Sequence, residues 1–190
     1  MVITKLVAFD FDKTLFATPE PEEGMAIYKQ KTGKEFPQKG WWSSPASLDT
    51  DVFNIKPYNG MVSILTKEYA DPRTMVIILT SRVEELRPEL EKVLHKNNIL
   101  VDGIIMNDNN VDKGEKIFDF LRWEQDLQQI DVYDDRDKDI QAYLNIRKHM
   151  PSDIVFNIYR ADKGSVSLVE NQMNLKKIIA EEIGNLVWTN

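Results

Sequence analysis

Five short runs of apolar and β-branched residues recur along this chain, with helix-length amphipathic stretches between them. They are Ile3–Phe9, Thr74–Leu79, Gly103–Met106, Ile130–Tyr133 and Ile154–Tyr159. Each is short and leans on Val and Ile, and the first four are followed by Asp, Thr, Asn and Asp, as buried strands often are. The intervening patterns lie near 60–70, 83–97, 113–125 and 137–149. A last one spans about 171–187, where Leu175, Ile178, Ile179, Ile183 and Leu186 share a face at 3.6-residue period. Strands alternating with helices of this length predict right-handed β-α-β units, so the expected fold is α/β with a mainly parallel, five-stranded sheet.

The chain has 190 residues, enough for one domain with a full core, and residues 1–190 read as a single unit. With 42% apolar and 29% charged residues it matches neither a disordered tail nor a membrane protein. Its longest strongly apolar run, Met75–Leu79, is far short of the roughly 20 residues a spanning helix needs. The start reads as a first strand rather than a signal peptide. There is no cysteine, which excludes disulfide scaffolds, Cys-ligated zinc and thiol catalysis and fits a reducing, intracellular (cytoplasmic) setting. A net charge of −7 argues against a protein that grips long duplex DNA through its surface. No membrane and no obligate protein partner is expected.

One segment breaks the alternation. Residues 16–59 hold a lysine-rich stretch, a Trp pair and most of the prolines, and are too long for a simple β-to-α loop. They are expected to form a cap- or flap-like insertion over the active end of the sheet, an ordinary surface excursion being the alternative.

In open parallel sheets, ligands bind beyond the carboxyl ends of the strands. The residues just past each strand therefore form the candidate site: Asp10-Phe-Asp12-Lys-Thr14, then Thr80-Ser81-Arg82, then Asp112-Lys113, then Asp134-Asp135-Arg136. Asp10 and Asp12, two apart at a strand exit, can project to the same side. One can attack phosphorus to give an aspartyl-phosphate. The other can protonate the leaving oxygen and then activate water. Asp134 and Asp135 would complete an oxygen site for Mg2+, although paired Asp residues also cap helices. Asp112-Lys-Gly-Glu115 fits a capping box that sets Lys113 in a first helical turn. A cation is disfavoured there unless it faces phosphate and carboxylates; Lys116 is the fallback. Thr80 and Ser81 can donate to phosphate oxygens. Arg82 and Arg136 can grip phosphate or pair with nearby acids.

The order Asp-Phe-Asp-Lys-Thr, Leu-Thr-Ser-Arg, Asp-Lys-Gly, Tyr-Asp-Asp-Arg-Asp resembles the haloacid dehalogenase (HAD) superfamily of phosphohydrolases, over about residues 1–160. That resemblance implies a Rossmannoid three-layer α/β/α sandwich. It implies Asp10 as nucleophile, Asp12 as general acid/base, Thr80 as the phosphate-binding hydroxyl and Lys113 as the charge stabiliser. Mg2+ would be held by Asp10, Asp134, Asp135 and the Asp12 backbone carbonyl. Phe9 to Pro21 with Gly40 to Leu48 is similar to the branch named for Swiss Army Knife RNA repair proteins. Asp51 through Arg82 to Arg136 resembles the phosphatase half of phage polynucleotide kinase-phosphatase. Both imply a phosphorylated nucleotide or single-stranded nucleic-acid end as substrate. Lys13 stands where the first motif commonly has glycine, adding positive charge beside the site.

Trp41 and Trp42 can stack on a base, but anchoring the insertion to the core is the weightier expectation. The lysines from Lys29 to Lys39 form either a funnel for an anionic substrate or a solvated helix face. His95 and His149 suit helix C-termini and are not expected in catalysis. The resulting expectation is a Mg2+-dependent phosphatase for nucleotides or polynucleotide ends. The rivals are a phosphatase for another metabolite, a phosphotransferase using the same intermediate, and a silent binding module.

Overall fold

Alternation within the first strand sets the layers. In β1 (Lys5–Phe9), Val7 and Phe9 join one core while Leu6 and Ala8 join the other. The same split recurs in β2 (Thr74–Val83), where Val76 and Ile78 go one way and Ile77 and Leu79 the other. Side chains alternating at period 2 on a sheet covered on both faces give two cores and three layers. In this computed structural model, which describes residues 2–37, 40–107 and 111–169, α2 (Asn59–Tyr69) and α3 (Arg87–Lys96) cover the first face. Helices α4 (Lys113–Trp123) and α5 (Asp137–Arg147) cover the second. The expected helix at 171–187 lies outside the described residues, as does Lys39.

With β3 (Gly103–Asn107), β4 (Gln129–Asp134), β5 (Val155–Asp162) and β6 (Ser165–Leu168), the sheet runs β3-β2-β1-β4-β5-β6. Its first five strands are parallel and β6 is antiparallel to β5. The sheet thus has six strands rather than the five expected. All four residues of β6 are exposed, so the Ser165-Val-Ser-Leu168 alternation, only four residues long, marks no buried face. The strand forms because Lys163 and Gly164, at φ 48° and 90°, make the two-residue turn that suits a tight hairpin.

Register carries the site. Phe9 lies beside both Ile78 and Tyr133, so the first residues past β1 and the last of β4 emerge side by side. A ladder of parallel rings fixes that alignment, with Phe9 stacked on Tyr133 at 4.8 Å and Tyr133 on Tyr159 at 4.6 Å.

Residues 16–59 are closed at their base, where Ala17 N–H donates to the Lys56 carbonyl and Tyr58 N–H to that of Leu15. Inside lies an unexpected helix, α1 (Pro21–Thr32). Its signals are proline in the first turn and Gly33 past the end at φ 70°, donating to the Lys29 carbonyl. Trp41 is buried against Phe36 and Phe53, with ring centres 5.0 and 5.4 Å away. A Cβ at Gly24 would fall 2.0 Å from its indole, so α1 meets this ring where it has no side chain. Two 3-10 turns, Trp41–Ser43 and Pro45–Leu48, carry the chain on toward the sheet edge. Among the described residues, no helix is long and apolar enough to cross a membrane.

Candidate active site

Asp10 leaves β1 with its N–H bonded to the Tyr133 carbonyl, and its side chain is buried. Asp112 caps α4, its carboxylate accepting from Glu115 N–H at 2.9 Å. The cap sets Lys113 in the first turn, where the buried Nζ donates to Asp10 Oδ1 at 2.6 Å and Asp134 Oδ2 at 2.8 Å. Asp139 Oδ2 approaches the same nitrogen at 3.6 Å from the first turn of α5. Asp134 is fully buried and also accepts from Tyr143 Oη at 3.3 Å and from Arg136 N–H at 3.1 Å. One carboxylate oxygen each from Asp10, Asp134 and Asp135 lie within 4.8 Å of one another.

This cluster is short of positive charge. The carboxylates of Asp10, Asp134, Asp135 and Asp139 face one buried ammonium and the half-exposed guanidinium of Arg136, 3.4 Å from Asp139. Lys13 also acts on Asp135 but is paired with Glu20, so carboxylates outnumber cations here. Burial drives the Asp10 carboxyl well above the usual carboxylate range; Lys113 pulls it down, and Asp134 and Asp12 raise it further. Asp135 is raised by burial and by Asp134, against a backbone hydrogen bond, Lys13 and Lys113. Burial opposes the Lys113 ammonium, yet Asp10, Asp134 and Asp139 outweigh it and hold it charged above the ordinary lysine range. Burial is the larger cause for the two acids, and the neighbouring carboxylates push all three groups the same way.

Strand β2 runs past the expected end at Leu79 to Val83, with a register shift against β3 over those residues, and Thr80 is buried within it, its hydroxyl accepting from Arg82 N–H at 3.2 Å. Ser81 is exposed and lines two small clefts of about 230 and 250 Å3. The first cleft brings Asp10, Asp12, Trp42 and Arg136 together; the second brings Thr80, Lys113 and Arg136. Lys13 adopts φ 58°, a conformation that costs a side-chain-bearing residue about 1–2 kcal/mol. Its ammonium pairs with Glu20 of the insertion. From Lys13 and Asp135 a groove of about 930 Å3 runs between α1 and the β5–β6 hairpin, with Ile27, Ile55 and Tyr58 among its apolar lining.

Trp41 and Arg82 both take the structural side of the alternatives the sequence left open. Trp41 is enclosed in the insertion's own core and offers no face to a base, so of the Trp pair Trp42 alone reaches the cleft. Arg82 is 1% exposed and borders the smaller cleft, and its side-chain hydrogen bonds run to Asp12 and Ser47.

The overall fold recurs in solved structures. The chain superposes on the crystal structure of the Legionella pneumophila effector Ceg4 with a TM-score of 0.55, at 15% identity over 95% of each chain. It matches the HAD domain of the L. pneumophila effector Lem4, an inactive mutant, with a TM-score of 0.52, at 15% identity over 99% of this chain and all of that one. This chain has the HAD fold. A chain of the Pnkp1/Rnl/Hen1 complex also matches, with a TM-score of 0.52 and 18% identity over 86% of this chain and 47% of that one. Among curated proteins, an uncharacterized protein of Saccharomyces cerevisiae is 29% identical over 167 residues. This chain spans 36% of that protein's length. No protein-family model matches the chain.

Within this HAD fold, the acidic cluster fits a divalent cation. The donors are all oxygen, carboxylates outnumber the cations beside them, and Asp135 Oδ1 is buried with no hydrogen-bond partner among the described residues. The Asp12 carboxylate is not among these donors, being taken by Arg82.

Several contributors escape a reading of the sequence. Asp139 stands four residues after Asp135 and is legible only as one more acid of a capped helix. Tyr143 lies one further turn along α5, at core spacing. Ser47 sits in the insertion with no periodic signal at all.

Proposed function

We propose that this chain hydrolyses phosphomonoesters through an aspartyl-phosphate on Asp10, its substrate being a nucleotide or the terminal phosphate of a single-stranded RNA or DNA. The observation that carries this reading is the buried Lys113 bridging Asp10 and Asp134 beside Asp135, with Thr80 on the same edge. An Asp10 oxygen attacks phosphorus, the ester P–O bond breaks, and Asp12 delivers a proton to the departing oxygen. Water then attacks the same phosphorus, gives its proton to Asp12, and releases phosphate and free Asp10. Lys113 and Thr80 balance and bind the phosphoryl oxygens. Mg2+, held by Asp10, Asp134, Asp135 and the Asp12 backbone carbonyl, would supply further charge neutralisation at the phosphoryl group.

The leaving group extends into the long groove beyond Lys13 and Asp135, or over the half-exposed Trp42, where a base finds an aromatic face. Ser81, Lys13 and Arg136 border it with polar and cationic groups. The match to a chain of an RNA repair complex supports the nucleic-acid side of this reading. The test is phosphate release, with and without Mg2+, from an aryl phosphate, mononucleotides and oligonucleotides phosphorylated at either end. Metal-dependent turnover that disappears in Asp10→Asn is expected, with nucleotides or oligonucleotide ends the best substrates. Turnover that survives in Asp10→Asn would overturn the mechanism, and a preference for small non-nucleotide esters would overturn the substrate class.

A further inference from the structure

Arg82 is a buried guanidinium whose observed side-chain hydrogen bonds all run to other protein side chains. Nε donates to Asp12 Oδ2 and Nη2 to Asp12 Oδ1, both at 2.8 Å, a two-point fork on one carboxylate. Nη1 donates to Ser47 Oγ at 2.8 Å, and that hydroxyl donates in turn to the Ser44 carbonyl at 2.7 Å. The indole of Trp42 lies 5.3 Å from the guanidinium carbon, within cation–π range. The Arg82 N–H is tied to Thr80. Ser44, Ser47 and Trp42 all belong to the insertion, 35 to 40 positions upstream of Arg82.

A guanidinium does not lose its proton in a protein, so burying one is costly without a well-made partner. Here that partner is Asp12. The fork occupies one lone-pair position on each carboxylate oxygen and fixes the plane of the group, while a carboxylate offers about four such positions. Asp12 therefore stays able to exchange a proton on the side of the cleft it shares with Asp10.

We propose that Arg82 is a positioning residue for Asp12, and that the insertion, through Ser47 and Trp42, holds the proton donor for the leaving group in place. The proposal rests on the phosphatase reading above. It assigns the insertion a part in the acid–base step itself, besides any part in covering the substrate. A contact to phosphate would weaken every ester alike when removed. Loss of a positioned acid instead penalises esters whose leaving oxygen must be protonated.

The experiment compares kcat/KM, which reports only the steps through formation of the aspartyl-phosphate, for 4-nitrophenyl phosphate and for an alkyl phosphate such as a nucleoside monophosphate. Wild type, Arg82→Gln, Ser47→Ala, Asp12→Asn and the Arg82→Gln/Asp12→Asn double variant are assayed with Mg2+, and thermal melting tracks folding. Arg82→Gln is expected to lose about 10²-fold on the alkyl ester and no more than about fivefold on the aryl ester. Ser47→Ala should show the same selectivity at smaller size, and it serves if Arg82→Gln fails to fold. The double variant should be no slower than Asp12→Asn, since the two residues act as one unit. Equal losses on both esters, or fully additive losses in the double variant, would overturn the proposal. A wild type inactive on both esters would instead overturn the phosphatase reading on which it rests.

Discussion

Replacing Asp10 by asparagine should stabilise the metal-free protein, although the substitution removes a buried ion pair. The sign comes from competing Coulomb terms. At an effective dielectric of about 20, Lys113 attracts Asp10 across 2.6 Å by about 6 kcal/mol. At 4.8 Å, the widest spacing in the cluster, each of Asp134 and Asp135 repels Asp10 by about 3.5 kcal/mol. The two repulsions together match or exceed the attraction, and burial of the charge counts further against the carboxylate. Lys113 is not orphaned by the change, because Asp134 and Asp139 remain beside it. A net gain of about 1 kcal/mol or more is expected, which for a chain of this size raises Tm by about 2–4 °C. The assay is thermal unfolding in a chelator and again in millimolar Mg2+, for wild type and Asp10→Asn. In chelator the variant should melt higher. Added Mg2+ should lift the wild type more, because a cation gains most where the charge deficit is largest. A variant that melts below wild type in chelator would show that the Lys113 pair dominates and that the cluster is not overcharged.

Gly114→Ala would set a Cβ 2.7 Å from the Ala142 carbonyl oxygen, forcing α4 away from α5 and dragging Lys113 with it. A loss of about 1–3 kcal/mol in urea unfolding and a fall in activity are expected, while Gly103→Ala, 3.6 Å from an Ile77 methyl, is the tolerated control. Stability should also fall above about pH 10. Burial lowers the Lys5 pKa, but its bonds to Glu68 and Asp131 outweigh that and raise it, and burial raises Tyr133 and Tyr143. Above that pH the unfolded chain has released protons the native state still holds, so each such group costs up to about 1.4 kcal/mol per pH unit. Urea midpoints at pH 8 and 10.5 check this, and Lys5→Met should lessen the drop.

The strands were legible because a sheet buried on both faces demands unbroken apolar runs, and a rule of topology pointed to the candidate site at the ends of β1 and β4, whereas β2 runs on through Thr80–Arg82 to Val83. What escaped has a common physical cause. Helix α1 carries polar residues around most of its surface and is held through Gly24, where the signal is the lack of a side chain. Strand β6 buries nothing and depends on its turn. Arg82 was legible as a cation near the strand ends, but not as one bonded to Asp12 and Ser47, because that depends on how a region 35 residues upstream packs.

That last case separates two kinds of site residue. Asp10, Asp134 and Lys113 are fixed by neighbouring strands and a capped helix, so local sequence and strand order are enough to bring them together. The orientation of Asp12 depends on Arg82, and that of Arg82 on Ser47 and Trp42, which reach the sheet only because Trp41 anchors the insertion against Gly24, Phe36 and Phe53. The charge-bearing part of the cluster can therefore assemble without the insertion. The orientation of the Asp12 carboxylate cannot, and a substitution at Gly24 that loosens Trp41 should reach Asp12 through this chain of contacts while the Lys113 cluster stays intact.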